Sequence, residues 1–205
     1  MWLTIYYRKG CIKSRFLRSV LRVMDWDLRE ANADEPANAK ELVQLKETAG
    51  SGKAPITPAI TTGEAYSHEL LSIIEYLDER SPNSLYPDQP ALRLFARTAI
   101  HRELRKLKSI WAAYRDNQDP AVLLSHYDDI EFQIIEVSRN YLTLRSTPPD
   151  KPSFLEMLYF ALVIEVNYLR PIENKVILEW YKTLSTKPIF HDLVAEPSST
   201  FSQVN

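Results

Sequence analysis

The chain has 205 residues, 45% of them hydrophobic, and a formal net charge of −2. That length suits one large or two small domains with an ample apolar core, and the charge balance excludes whole-surface attraction to nucleic acid or to a membrane. One cysteine excludes an intrachain disulfide framework; with no N-terminal apolar run resembling a signal peptide or a membrane span, a cytoplasmic protein is the expectation.

Trp2 to Tyr7 is a β-branched and aromatic run that reads as a buried strand, ended by Arg8-Lys9-Gly10. A helix follows Cys11, with Ile12, Phe16, Val20 and Met24 on one side and Arg15, Arg18 and Arg22 on another. Cys11 sits where a strand passes into a helix. There the orphan N–H groups and the positive end of the dipole favour a thiolate, helped by Lys13 and Arg15, and such a thiolate attacks disulfides or electrophiles. Trp26 to Ala31 forms a second strand and Pro36 to Glu47 a second helix. The Gly50-Ser-Gly-Lys53 fragment lacks the first glycine of a phosphate loop, and Ala54 replaces the Ser/Thr that would touch magnesium, so it reads as a plain loop. Pro58 opens the next strand; a proline there lacks an N–H and can hold a cis bond, which turns the preceding backbone outward. A hairpin through Gly63 then leads to a helix in which Leu70, Ile73, Ile74 and Leu77 recur at i, i+3, i+4, i+7.

Residues 81–90 carry three prolines and no helical periodicity, which marks a linker between a domain over 1–80 and an all-helical domain over 91–205. A helix from Ala91 to Tyr114 presents Arg93, Arg97, Arg102, Arg105, Lys106 and Lys108 against one local acid, Glu103, which reads either as a solvated helix face or as a surface for an acidic protein partner. Asp119-Pro120 starts another, to about Tyr141, whose Asp128, Asp129, Glu131 and Glu136 complement the basic helix, either within the domain or across a dimer. Ser153-Phe-Leu-Glu156 is a capping box before the apolar run Met157 to Val166. Helices over 173–184 and 188–194 complete the domain, and 197–205 is a polar tail. His68, His101, His126 and His191 are scattered, with no spacing that suggests a metal site.

Pro58, the Glu69 that follows it by eleven positions, and Ile73-Ile-Glu-Tyr-Leu-Asp-Glu-Arg80 together resemble the second half of the thioredoxin-like domain of glutathione S-transferases. The element order of the first half is that domain's order, and Ser153-x-x-Glu156 is similar to the Ser/Thr-x-x-Asp that opens the buried core helix of transferase-fold proteins. The fold implied is α/β plus all-α, a thioredoxin-like domain followed by a helical one. Within that superfamily the chain resembles the stringent starvation protein A branch most. The supporting residues are the Ile73–Arg80 run followed by Pro82, Ser14-x-x-x-Arg18 and Ile100-His-Arg102.

The resemblance implies roles for particular residues. Cys11 matches the catalytic Cys or Ser of omega- and zeta-like classes, although their proline is missing from Cys11-Ile-Lys-Ser14; Tyr7 and Ser14 fall where other classes carry a hydroxyl donor. Thr57, Pro58 and Glu69 fall at ligand-contacting positions. Leu70 stands where glutathione-binding members carry a Ser that holds the γ-glutamyl carboxylate at a helix N-terminus. Losing one hydrogen bond to a charged group weakens glutathione by about 1.5–3 kcal/mol, about tenfold to a hundredfold. Two functions follow. The favoured one is a non-catalytic, dimeric regulator, homo- or heterodimer, that holds RNA polymerase or a sigma factor through Pro82, Asn83 and Ser84 of the linker, where the branch has Pro-His-Pro, and through Arg97, Arg102 and Arg105. The alternative is a glutathione-dependent transferase or thiol reductase using Cys11.

Overall fold

The structure, a computed structural model, describes residues 3–48, 57–63, 65–82, 84–117, 121, 151–169 and 171–196. The chain divides into two compact units: the first comprises residues 1–83 together with 195–205, the second residues 84–194.

In the first unit, β1 (Leu3–Tyr7), α1 (Ile12–Val23), β2 (Leu28–Asn32), α2 (Pro36–Thr48), β3 (Ala59–Thr61), β4 (Tyr66–Ser67) and α3 (Leu70–Arg80) follow in order. The sheet order is β2-β1-β3-β4; β1 runs parallel to β2, and the other two pairings are antiparallel. This mixed sheet is the thioredoxin-like arrangement. A parallel pair needs a helical crossover, which α1 supplies, whereas β3 and β4 are close enough for a hairpin. Gly63, with φ +87°, takes the left-handed conformation that the hairpin requires. Side chains alternate along β1, so Tyr6 points to one face, where it packs with Ala31, Ala33, Leu42 of α2 and Ala59. Leu3 and Ile5 point to the other; α1 and α3 pack on each other and bury Phe16, Val20, Ile73, Ile74 and Leu77.

The second strand begins two residues later than its composition suggests. Asp25, at φ +57°, and Trp26, whose N–H donates to the Leu21 carbonyl at 3.1 Å, still belong to the end of α1. Pairing with β1 starts only where Leu28 meets Leu3.

The second unit contains α4 (Pro90–Asn117), α5 (Phe154–Leu169), α6 (Lys175–Ser185), a 3-10 turn (Pro188–Phe190) and α7 (His191–Ala195). The helix expected from Asp119 to Tyr141 and the acidic residues on it lie outside the described residues, Ala121 excepted. Helix α5 is buried almost all round over Phe154–Val166, as expected of a core helix whose apolar residues do not confine themselves to one stripe. Phe160 sits among Trp180, Tyr181 and Phe190, with ring centroids 5.2–6.4 Å away. The unit boundary falls inside the expected linker, but its later half is not a surface spacer. Leu85, Tyr86 and Pro87 are buried, and the Tyr86 ring packs on Phe154 at 4.7 Å. Nor does the helical unit keep the chain to its end: Ala195 and Glu196 belong to the first unit. Among the described residues no helix is long and apolar enough to cross a membrane.

Candidate functional site

Strand β1 delivers Tyr7 to the start of a turn, Arg8–Cys11, that leads directly into α1. Gly10 is left-handed at φ +73°, the Cys11 N–H lies 3.4 Å from the Arg8 carbonyl, and the Cys11 carbonyl accepts from the Arg15 N–H at 2.8 Å. Cys11 is therefore the N-cap of α1, with extended φ/ψ and no side-chain cap hydrogen bond, because a thiol is a poor acceptor beside the usual Ser, Thr, Asp or Asn. Its side chain is half-buried. Ser14 is fully buried, and its Oγ accepts from the Arg8 N–H at 3.2 Å, so the hydroxyl closes the turn from inside.

Tyr7 is buried too, with the Arg18 guanidinium carbon 3.9 Å from its ring centroid. Burial pushes the Tyr7 phenol above its ordinary value; Arg18 opposes this, and Glu196, Glu30 and Glu35 add to it. The ladder between β1 and β3 pairs Tyr6 with Ala59, so the next step sets Pro58 opposite Tyr7. The Thr57–Pro58 bond is cis, and Pro58 is buried. Tyr7, Cys11, Ser14 and Pro58 are thus gathered around one end of β1.

The arginines expected apart from the apolar side of α1 are not all outside. Arg15 is 0% exposed and Arg18 3%. Arg18 Nε donates to Glu30 Oε2 at 2.7 Å, Arg18 Nη1 pairs with Glu196 Oε1, and Arg22 forms two further bonds to Glu30 Oε1 at 2.9 and 3.0 Å. Arg15 Nη2 donates to the main-chain oxygen of Glu196 at 2.7 Å. The cation expected beside Cys11 therefore turns toward a carboxylate from far along the chain. Glu196 is the residue that the sequence did not single out. It stands 178 positions from Arg18, and no local spacing connects the two.

At the start of α3, Glu69 is the N-cap, again without a side-chain cap bond, and its own N–H donates to Ser67 Oγ at 3.2 Å. The Glu69 carboxylate is exposed, 3.6 Å from His68 Nε2. Leu70, half-buried, is the first helical residue.

The residues expected to meet a partner are divided. Pro82 is exposed, and Asn83 lies outside the described residues. Ser84 folds onto Tyr86, its Oγ accepting from the Tyr86 N–H at 3.2 Å. On α4, the Arg97 guanidinium carbon lies 5.3 Å from the Tyr86 ring centroid, and Arg102 Nε donates to Glu103 Oε1 at 2.8 Å. Arg105 Nε reaches the His101 carbonyl at 3.4 Å. Arg102 and Arg105 remain exposed, about two to three turns beyond Leu94 and Phe95, each 63% exposed. Glu103, expected among the surface charges, is instead buried, with Lys106 Nζ 3.7 Å away. Burial raises the Tyr159 phenol of α5 strongly, and Glu103 raises it further against Arg102. No cluster of metal-binding side chains occurs among the described residues.

No protein-family model matches the sequence, and no curated protein matches it. Solved structures do. A glutathione S-transferase from Rhodospirillum rubrum F11 superposes with a TM-score of 0.71 at 15% identity, covering 96% of this chain and 94% of that one. FzlA from C. crescentus gives 0.69 at 16% identity over 97% and 94%. A glutathione S-transferase from Sinorhizobium meliloti 1021 gives 0.68 at 19% over 97% and 94%. At that coverage the likeness shows the fold: a thioredoxin-like unit and a helical unit in the glutathione S-transferase architecture.

Proposed function

We propose that this transferase-fold chain is a non-catalytic, dimeric binding protein whose partner is RNA polymerase or a sigma factor, in the manner of stringent starvation protein A. The carrying observation is the burial of the residues that bear the candidate hydroxyls. Ser14 Oγ is fully buried and takes the Arg8 N–H, and Tyr7 is buried beneath Arg18. Leu70 adds no hydroxyl at the start of α3. A thiolate needs a donor that can reach it, and two of the family's three candidate positions are buried. The partner surface is the exposed side of α4, with Leu94 and Phe95 as apolar contacts and Arg102 and Arg105 as cations. Incubation with polymerase holoenzyme at low salt is expected to recover a complex that Arg102→Glu and Arg105→Glu weaken. Recovery of nothing at low salt overturns this partner.

A second reading, a glutathione-dependent transferase or thiol reductase, is favoured by Cys11 alone. Its thiol is half-buried at a helix start with no side-chain cap, where backbone N–H groups favour an anion. Thr57 and Glu69 would then contact the ligand. Calorimetry with glutathione, run on the unaltered chain and on Leu70→Ser, separates the two. The proposal expects no binding tighter than about millimolar by the unaltered chain and some recovery in the variant. Tight binding by the unaltered chain together with turnover that Cys11→Ser abolishes establishes the enzyme.

A further inference from the structure

Arg15 and Arg18 are buried at 0% and 3% exposure, and a guanidinium taken that far from water requires a carboxylate. Glu30 on β2 serves Arg18 and Arg22. The other carboxylate comes from the segment after α7. Glu196 is itself buried, and several of its oxygen contacts are with the start of α1: Oε1 pairs with Arg18 Nη1, Oε2 lies 3.4 Å from the Gly10 N–H and 4.0 Å from Arg15 Nε, and the main-chain oxygen accepts from Arg15 Nη2 at 2.7 Å.

Each contact ends beside a residue of the Arg8–Cys11 turn or its surroundings. Gly10 precedes Cys11. Arg15 follows Ser14, whose hydroxyl holds the Arg8 N–H, and Arg18 covers the Tyr7 ring. Cys11 gives α1 no side-chain cap, and the turn is held by Ser14 from within and by Glu196 from a distant part of the chain.

We propose that residues 195–196 form a strap whose catch is Glu196: closed, it holds the Gly10–Cys11 turn and keeps the Cys11 thiol half-buried; open, it loosens the turn and exposes the thiol. The strap acts on this end of β1 whether the site holds a ligand or only shapes a binding surface, so its test is independent of the function proposed above.

Cys11 is the only cysteine, so its reaction with a small aromatic disulfide reports on this turn alone. In Glu196→Ala the rate is expected to rise about tenfold or more, and in Glu196→Gln by less, because the amide keeps an acceptor for Arg18 but loses the charge. Acetate at high concentration is expected to slow the Ala variant again by refilling the anion position, while chloride at equal ionic strength does not. Rates within about twofold of the unaltered protein in both variants overturn the strap. If Glu196→Ala loses its cooperative melting transition, Glu196→Gln decides, with Gly10 amide exchange as the second readout. The Gly10 amide is expected to exchange faster in Glu196→Gln while the β1 amides stay protected. Equal Gly10 exchange in the two proteins overturns the proposal.

Discussion

Two helices of the second unit, α5 and α6, begin on side-chain caps, and two in the first do not. Ser153 Oγ accepts from the Glu156 N–H at 3.2 Å while Glu156 Oε2 accepts from the Ser153 N–H at 2.7 Å, a reciprocal box at the head of α5. Asn174 Oδ1 accepts from Val176 and Ile177 N–H at 3.0 and 3.3 Å at the head of α6. By contrast α1 starts at Cys11 and α3 at Glu69, without side-chain cap bonds. A cap contributes about 1 kcal/mol from three neighbouring residues. Where it is missing, something else must fix the helix start. For α1 that is a buried charge network reaching across the sequence, and for α3 the packing of Ile73, Ile74 and Leu77. Two of these helices are started by local contacts and the other two by distant ones.

The sharpest way to break this contrast is to remove the shared cation of the network. Arg18→Met leaves Glu196 and Glu30 without their common partner and is expected to destabilise the protein by about 3–5 kcal/mol in denaturant titration. A loss below about 1 kcal/mol would mean that water already shares the load. Ser153→Ala and Asn174→Ala, which remove caps from the other unit, are expected to cost about 1 kcal/mol each by the same measurement. A smaller change in the opposite direction tests the uncapped end. Glu69→Asp places a favourable N-cap acceptor at the head of α3 and is expected to stabilise by about 0.5 kcal/mol, read as a rise in thermal midpoint.

Alkali should also act unequally. Burial raises the phenols of Tyr6, Tyr7 and Tyr66 in the first unit and of Tyr159 in the second. A phenol raised in the folded state binds its proton more tightly there than in the unfolded chain. Its contribution is complete below pH 10 and is lost as pH rises past that of the unfolded tyrosine. Stability is therefore expected to fall above about pH 10, and ultraviolet titration should show these tyrosines ionising only as structure is lost. Ionisation near pH 10 with the fold intact would contradict the burial.

The same contrast explains what was legible in the sequence. The Ser153 box and the apolar run behind it, the Leu70–Leu77 periodicity and the Gly63 hairpin are local signals, and each appears where its spacing put it. The start of β2 was missed by two residues because pairing with Leu3, not the aromatic character of Trp26, sets it. Arg15 and Arg18 looked like a second side of α1 because their spacing is that of a solvated stripe, and the carboxylate that buries them is too far along the chain to be seen from there. Glu103 looked like a surface acid for the same reason. At the candidate site, Cys11, Tyr7 and Ser14 were identifiable individually, but not the inward use of the Ser14 hydroxyl, which depends on how the Arg8 turn closes.

The long reach of Glu196 has a consequence for biosynthesis. A nascent chain that has made β1 through α3 carries every strand of the first sheet and Glu30 for Arg18, yet the second carboxylate of that arginine, Glu196, lies 178 residues beyond it. At about 5–20 residues per second, that interval lasts about 10–35 s on the ribosome. Throughout it Arg18 has Glu30 but lacks Glu196, and Arg15 lacks the Glu196 main-chain oxygen, so this end of α1 gains its last partners only after the helical unit has been translated. The first unit to emerge is the last to be completed.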